Sequence, residues 1–114
     1  MEQFAHISVS DAWQLLNKKD QSAIIVDIRD SQSFRLMHPQ GAFHHITDSI
    51  VQLMQNIDYE KSILVICSKG VSSQGIAQYL HNQGVETVYS VDGGFEAWHR
   101  QGLPVEAGTT SIDV

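Results

Sequence analysis

The sequence predicts one α/β domain built on a parallel β-sheet with helices on both faces. Short apolar runs rich in β-branched residues alternate with segments whose apolar residues recur at helical spacing, a pattern typical of parallel strands joined by helices. The length of 114 residues suits a single hydrophobic core. One apolar run, residues 62–66, ends at Cys67. That places a thiol at the carboxyl end of a strand, where such sheets bind ligands.

The amino-terminal half contains alternating candidate strands and helices. The strands are expected at residues 4–7, 23–26 and 42–46, and the helices at residues 12–16, 31–37 and 50–57. Ser8 is the candidate N-cap of the first helix, and Asp11 follows three residues later as in a capping box. Residues 38–41 read His-Pro-Gln-Gly and are expected to form a turn.

The carboxyl-terminal half continues the alternation. The strand at residues 62–66 is followed by a helix that ends near Gly84, then by a strand at 87–91 and a last helix at 95–101. A single domain is expected over residues 1–105. Residues 106–114 have little to bury and are expected to form a flexible tail.

Composition and charge exclude several classes of partner. The chain is 42% hydrophobic and 18% charged, and 13 acidic residues against 7 basic ones give a net charge of −6. With no basic cluster, neither nucleic acid nor a membrane surface is expected as a partner. No apolar run approaches the roughly 20 residues that span a bilayer, and the amino terminus does not resemble a signal peptide. A cytoplasmic location is therefore expected, and the single cysteine cannot form an internal disulfide.

The residues after Cys67 predict an anion-binding loop. They are small, polar or flexible, with Gly70 in the middle, and a helix begins directly after them. Backbone N–H groups in such a loop and the positive end of the helix bind anions and lower the pKa of a thiol, from about 8.5 into a range of roughly 3.5–7.5. Lys69 could add a positive charge. Either Ser72 or Ser73 could cap the helix or donate a hydrogen bond to the sulfur.

Other interpretations of the same residues remain open. Cys67 could be a buried apolar residue with no chemistry. A metal site at His38, His44 and His45 is disfavoured, because adjacent residues of a strand point to opposite faces. A cysteine-dependent phosphatase needs an arginine to clamp the phosphoryl oxygens, and no arginine follows Cys67 until Arg100.

Three segments resemble signature motifs of the rhodanese family. They comprise residues 26–30 with Phe34, His38 and residues 41–44, then the loop at residues 67–73, and finally residues 92–98 with residues 102–105. The similarity runs in order from residue 4 to residue 105 and is strongest to the single-domain thiosulfate sulfurtransferases of that family. It implies a rhodanese-like domain with a five-stranded parallel sheet, no metal and no organic cofactor.

The resemblance also implies a reaction and its residues. Cys67 would be the nucleophile, would take the outer sulfur of thiosulfate as a persulfide and would release sulfite. The acceptor would be thiophilic, such as cyanide or a dithiol, with thioredoxin as the family-typical candidate. The loop residues would bind the substrate through N–H groups and side chains, namely Ser68, Lys69, Gly70, Val71, Ser72 and Ser73. A monomer or weak dimer is expected.

A non-catalytic role is the alternative, either as a persulfide carrier or as a rhodanese-like module that senses redox state or binds a partner. The sequence departs from the family pattern at two places, one bearing on local structure and one on the preference for thiosulfate. Residues 37–39 read Met-His-Pro where the signature often has Gly-His-Ile, away from the loop. Ser68 stands where some relatives carry arginine or an aromatic residue, so Lys69 is the only basic side chain of the loop.

Overall fold

The computed structural model describes residues 4–20, 22–45, 58 and 60–108. The elements in these residues, in chain order, are β1 (Ala5–Ile7), α1 (Val9–Leu16), β2 (Ala23–Asp27), α2 (Ser31–Leu36), β3 (His38–Pro39), β4 (Phe43–His44), β5 (Ser62–Ile66), α3 (Ser72–Asn82), β6 (Val88–Val91), α4 (Gly94–Arg100) and β7 (Val105–Glu106). The Ser8 hydroxyl accepts a hydrogen bond from the Asp11 N–H at 3.1 Å, which confirms the expected N-cap of α1.

Five of the described strands form one parallel sheet in the order β1-β6-β5-β2-β4. β5 is the central strand, and its whole length pairs with β2, from Ala23 opposite Ser62 to Asp27 opposite Ile66. On its other side, Val65 lies opposite Ser90 of β6. The predicted α/β class with a five-stranded parallel sheet is confirmed.

Helices cover both faces of this sheet because successive residues of a strand point to opposite sides. Ile63 and Val65 of β5 pack in one core cluster with Ala77 and Leu80 of α3. The alternating residues Leu64 and Ile66 pack in a second cluster, whose helical members are Val9 and Ala12 of α1, Phe34 of α2 and Trp98 of α4. Burying each large apolar side chain contributes about 1.5–3 kcal/mol, so both faces stabilise the central strand.

The strand order places a crevice beside the end of β5. From β2 the chain passes outward to β4 on one side, whereas from β5 it passes to β6 on the other side. The connections that leave two neighbouring strands in opposite directions open a space at their carboxyl ends, which is the usual ligand site of such sheets. Cys67 directly follows β5 at this point.

Two expectations, one for residues 38–39 and one for the tail from residue 106, differ from the structure. His38 and Pro39, predicted as part of a turn, pair antiparallel with Glu106 and Val105 as β3 and β7. Glu106, expected in a flexible tail, accepts a hydrogen bond from the Gly41 N–H at 3.2 Å, and the same carboxylate oxygen lies 3.2 Å from His38 Nε2. The Gly108 N–H also donates to the Arg35 carbonyl at 2.8 Å. The expectation of a free tail is therefore wrong for residues 106–108, because backbone pairing and a carboxylate hold them where apolar burial does not.

The helix expected at residues 50–57 and the last residues of the expected tail, 109–114, lie outside the described residues. Within the described ranges, none of the helices has the length and apolar character that crossing a membrane requires.

Candidate active site

The thiol of Cys67 lies inside a short loop that points hydrogen-bond donors at its sulfur. We call residues 67–73 the thiol loop. The Gly70 N–H donates to Sγ at 3.2 Å and the Ser73 N–H at 3.3 Å. The Ser73 Oγ also lies 3.3 Å from Sγ. Cys67 itself is only 5% exposed, so these contacts form in a site that largely excludes water.

These contacts decide the ionisation of the thiol. Burial raises the pKa of Cys67, because it disfavours the charged thiolate. The Ser73 hydroxyl and the N–H groups of Ser73, Gly70 and Lys69 lower it, because they hydrogen-bond to the sulfur. The donors outweigh burial, and the net pKa lies below that of an ordinary cysteine. A lowered pKa increases the thiolate fraction, and the thiolate is the nucleophilic form of cysteine.

Ser73 is in turn hydrogen-bonded to a residue of the neighbouring strand. Its Oγ lies 2.7 Å from the Oγ of Ser90 in β6, and both serines are 0% exposed. Of the two candidate serines, Ser73 contacts the sulfur, whereas Ser72 is exposed. Neither serine caps α3, whose N-cap is Val71 and has no side-chain capping bond.

The carbonyl side of the thiol loop is held by the start of α4. The Phe95 N–H donates to the Cys67 carbonyl at 2.8 Å and the Glu96 N–H to the Ser68 carbonyl at 3.1 Å. This close approach requires glycine at residue 94, because a Cβ there would lie 2.6 Å from the carbonyl carbon and oxygen of Ser68. The loop carbonyls therefore face α4, which leaves the loop N–H groups free to face the sulfur.

The other predicted residues of the loop form its outer rim. Ser68, Lys69 and Ser72 are exposed, and Val71 is 72% exposed. The Lys69 ammonium is thus directed to solvent, and the Lys69 group that lowers the pKa of Cys67 is its backbone N–H. The loop brings together the backbone donors and Ser73 around the sulfur, whereas the remaining side chains are exposed to solvent.

Asp27 and Arg29, at the end of β2, form a buried ion pair beside the loop. Asp27 is fully buried, and Arg29 donates to its carboxylate from Nε at 3.0 Å and from Nη2 at 2.8 Å. The same Nη2 donates to the Met37 carbonyl at 2.7 Å. The guanidinium carbon lies 4.1 Å from the centre of the Phe95 ring. Arg29 therefore joins β2, the residue after α2 and the helix that supports the thiol loop.

The histidines of the first motif have structural contacts. His38 and His44 stack on Phe34, with ring centres 3.7 and 4.4 Å away. His38 Nδ1 donates to the Phe34 carbonyl and His44 Nε2 to the Arg29 carbonyl, each at 2.7 Å. Among residues 4–20, 22–45, 58 and 60–108, no three His, Cys, Asp or Glu side chains are grouped to hold a metal ion.

Most of the chain is similar to one known domain family. The profile of the rhodanese-like domain matches residues 8–101, which is most of the chain. The chain belongs to the rhodanese-like domain family. Two proteins of Vibrio cholerae serotype O1, from strains O395 and M66-2, each named thiosulfate sulfurtransferase GlpE, are both 53% identical to it over 107 residues. The matched region covers 94% of this chain and 99% of each relative.

Solved structures of more distant proteins share the rhodanese-like fold. A rhodanese-like domain protein from Staphylococcus aureus is 24% identical, with a TM-score of 0.76 over 91% of this chain and all of that one. A thiosulfate sulfurtransferase from Pseudomonas aeruginosa is 19% identical, with a TM-score of 0.84 over 98% of this chain and 22% of the other.

Sequence reasoning missed two contributors to the candidate site of this rhodanese-like domain. Ser90 lies within a strand, where a single serine between apolar residues carries no signal of its own. Gly93 and Gly94 were noted only as part of the third motif, and their contact with the thiol loop is visible only once β5 and β6 are adjacent. Two consecutive glycines directly before a helix were the available signal, since they permit close backbone approach.

Proposed function

We propose that this protein is a thiosulfate sulfurtransferase in which Cys67 is the nucleophile. The observation that supports it best is the surroundings of the buried Cys67 sulfur: two backbone N–H groups donate to it, and the Ser73 hydroxyl lies 3.3 Å away, where it donates once the thiol has lost its proton. Such an arrangement stabilises a thiolate, and it fits a reaction in which sulfur carries negative charge both before and after transfer.

In the first half-reaction the Cys67 thiolate attacks the outer sulfur of thiosulfate. A bond forms between Sγ and that sulfur, and the bond to the sulfonate sulfur breaks. Its electron pair leaves with sulfite, so the enzyme holds a persulfide with one negative charge. No proton is transferred and no oxidant is consumed, which is consistent with a site that needs no cofactor.

In the second half-reaction a thiophilic acceptor attacks the outer sulfur of the persulfide. With cyanide, a carbon–sulfur bond forms, the sulfur–sulfur bond breaks and thiocyanate leaves. The electron pair of the broken bond returns to Sγ and regenerates the thiolate. A dithiol such as thioredoxin would accept the same sulfur. Covalent catalysis in two displacement steps predicts ping-pong kinetics.

The exposed rim of the loop would admit these reactants. Ser68, Lys69 and Ser72 are solvent-exposed polar residues around a buried sulfur, so a small dianion could meet their side chains before reaching Cys67. The net charge of −6 does not attract anions, and local donors must do so. A cytoplasmic location and action as a monomer or weak dimer complete the proposal.

The absence of an arginine clamp disfavours phosphatase chemistry. Arg29 is engaged with Asp27 at 2.8 Å, and Arg100 is an exposed residue of α4 that approaches Glu96 at 4.0 Å. Neither belongs to the thiol loop, which has only Lys69 as a basic residue. Phosphoryl transfer by cysteine enzymes relies on a bidentate guanidinium that a lysine does not replace.

The test is incubation with thiosulfate followed by mass measurement of the intact protein. Wild type should gain one sulfur atom, Cys67→Ser should gain none, and addition of cyanide should remove the sulfur as thiocyanate. Parallel incubation with 3-mercaptopyruvate identifies the preferred donor. Absence of an adduct with any sulfane donor would refute the proposal. An adduct that forms but is not turned over by cyanide or a dithiol would indicate a persulfide carrier instead.

A further inference from the structure

We propose that Ser90 is a positioning residue, which fixes the direction of the Ser73 hydroxyl so that its hydrogen points at the Cys67 sulfur. Ser90 does not contact Sγ directly, and it is not exposed to solvent. It acts through the 2.7 Å contact between its Oγ and that of Ser73, which in turn lies 3.3 Å from Sγ. The inference rests on the proposed role of Cys67 as the nucleophile.

Which of the two serine hydroxyls donates to the other follows from counting their hydrogens. Each serine hydroxyl has one hydrogen to donate, and Ser73 has two neighbours, Sγ and the Ser90 Oγ. Ser90 is 0% exposed. Among the described residues, the hydrogen-bond partner of its hydroxyl is Ser73.

If Ser73 donated its hydrogen to Ser90, the hydrogen of Ser90 would be buried without an acceptor, which is costly. If Ser90 donates to Ser73, both hydroxyls are satisfied, provided that Sγ accepts the hydrogen of Ser73. A thiolate accepts hydrogen bonds, and a thiol would compete to donate its own hydrogen. The buried Ser90 hydroxyl therefore favours the thiolate over the thiol.

The backbone keeps this arrangement in place. Ser90 lies in the middle of β6, directly opposite Val65 of β5, two residues before Cys67. Ser73 lies in the first turn of α3, where its own N–H also donates to Sγ. The Ser73 hydroxyl thus reaches the sulfur from a helix and meets the Ser90 hydroxyl of a strand, and both elements are fixed by core packing.

The same direction serves both half-reactions. In the first, the attacking thiolate is held by a hydroxyl that already points toward it. In the second, the electron pair of the broken sulfur–sulfur bond returns to Sγ, where the same hydrogen receives the developing charge. Preoriented donors of this kind stabilise charge without reorganising during the reaction.

Charged side chains near the loop do not account for this effect. Lys69 on the loop, Asp92 after β6 and Glu96 on α4 are all exposed, and solvent screens exposed charges. Asp27, at the end of the adjacent strand β2, is buried but neutralised by its pair with Arg29. A change at Ser90 therefore alters the ionisation of Cys67 through Ser73 and not through a change in a facing charge.

The experiment measures the pH dependence of Cys67 alkylation by iodoacetamide in a double-mutant cycle. We expect Ser90→Ala to move the alkylation profile to higher pH, so that the rate well below the midpoint falls about three- to tenfold, as a modest rise in thiol pKa requires. Ser73→Ala should move it at least as far. In the Ser73→Ala background, Ser90→Ala should have no further effect.

A matched pair of variants separates the hydroxyl from the volume of the side chain. Ser90→Thr keeps the hydroxyl and Ser90→Val has nearly the same shape without it, so Thr should retain the wild-type profile and Val should behave like Ala. Thermal unfolding identifies any variant of the pair that does not fold. If neither member folds, the alanine cycle alone decides.

Three results would overturn the inference. These are an unshifted profile in Ser90→Ala, an equal Ser90→Ala shift with and without the Ser73 hydroxyl, or the same profile in folded Thr and Val variants. None of these measurements uses thiosulfate. A protein that fails to form a persulfide but shows the expected cycle would refute the proposed function while leaving the role of Ser90 intact.

Discussion

The backbone of Gly70 in the thiol loop packs directly against the backbone of Gly93 before α4. A Cβ built on Gly70 would lie 2.7 Å from the Gly93 amide nitrogen and 3.3 Å from the Val91 carbonyl oxygen. Gly70 also has φ of 86°, a left-handed conformation that side chains disfavour. The N–H that Gly70 donates to Cys67 thus depends on a backbone contact that only glycine permits.

We therefore expect Gly70→Ala to destabilise the protein and to displace a donor from the sulfur. The left-handed conformation costs about 1–2 kcal/mol for a residue with a Cβ, and the clash with rigid backbone adds to it. The free energy of unfolding should fall by roughly 2 kcal/mol or more, as measured by chemical denaturation. Alkylation of Cys67 below neutral pH should slow as well.

Gly75→Ala is the matched control for this variant. Gly75 lies in α3, its φ is not positive, and a Cβ there would meet nothing within 4 Å. Alanine is favoured over glycine in helices, so this variant should gain about 0.5–1 kcal/mol. Equal effects of the two substitutions would show that the packing of Gly70 has no special role.

The buried pair of Asp27 and Arg29 supports a second prediction. Replacing Arg29 by methionine leaves a carboxylate that is 0% exposed without its partner, and breaking a buried pair in this way costs about 3–5 kcal/mol. Arg29→Lys should recover only part of this loss, because an ammonium cannot form the same paired hydrogen bonds. Thermal and chemical unfolding measure both changes.

Arg100→Met controls for the loss of an arginine. Arg100 and Glu96 are both exposed and their charged atoms are 4.0 Å apart, and exposed pairs of this kind contribute about 0–1 kcal/mol. If Arg29→Met and Arg100→Met had similar effects on unfolding, the pair at Asp27 would be a weak surface interaction despite its burial.

Some parts of the fold could be predicted from local sequence patterns, and others could not. The apolar runs that became β2 and β5 and the Ser8 cap of α1 depend on local patterns, and they were predicted to within one or two residues. β3 and β7 have two residues each, and nothing in so short a segment distinguishes a strand from a turn. Their pairing joins His38 to Glu106, a contact across most of the chain that no local pattern encodes.

The candidate site was predictable to a similar extent. A lone cysteine between a strand and a helix indicated the thiol loop, and helix spacing placed two serines near its end. The choice of Ser73 depends on where the first turn of α3 faces, and the role of Ser90 depends on β6 lying beside β5. Strand order comes from the packing of the whole chain, so both roles needed the structure.

The lowered pKa of Cys67 predicts how stability depends on pH. Above this pKa the folded protein has lost the thiol proton while the unfolded chain retains it up to about pH 8.5. Raising the pH through this window therefore favours the folded state. The free energy of unfolding of wild type, minus that of Cys67→Ser, should rise between the lowered pKa and about pH 8.5 and stay flat below it.

The subtraction is needed because other ionisable groups titrate in both proteins. Cys67→Ser lacks the ionisable thiol but retains a small polar side chain, so the shared contributions cancel in the difference. Chemical denaturation of both proteins at a series of pH values measures this difference in the free energy of unfolding. A difference that fell with rising pH would mean that burial outweighs the donors and that the thiol is held protonated.

The last prediction concerns Lys69, whose ammonium is exposed on the rim of the thiol loop. An exposed charge attracts an anionic substrate weakly, so Lys69→Gln should raise the KM for thiosulfate by no more than about fivefold at low salt and leave kcat unchanged. At about 1 M salt the Debye length is near 3 Å and the difference should vanish. Lys18→Gln is the control, because it removes the same charge far from the thiol loop. Lys18 follows α1 and precedes β2, so it lies toward the amino ends of the parallel strands, whereas Cys67 lies at their carboxyl ends. This variant should leave KM unchanged. A fall in kcat that persists at high salt would instead place the Lys69 ammonium against the reacting sulfur atoms.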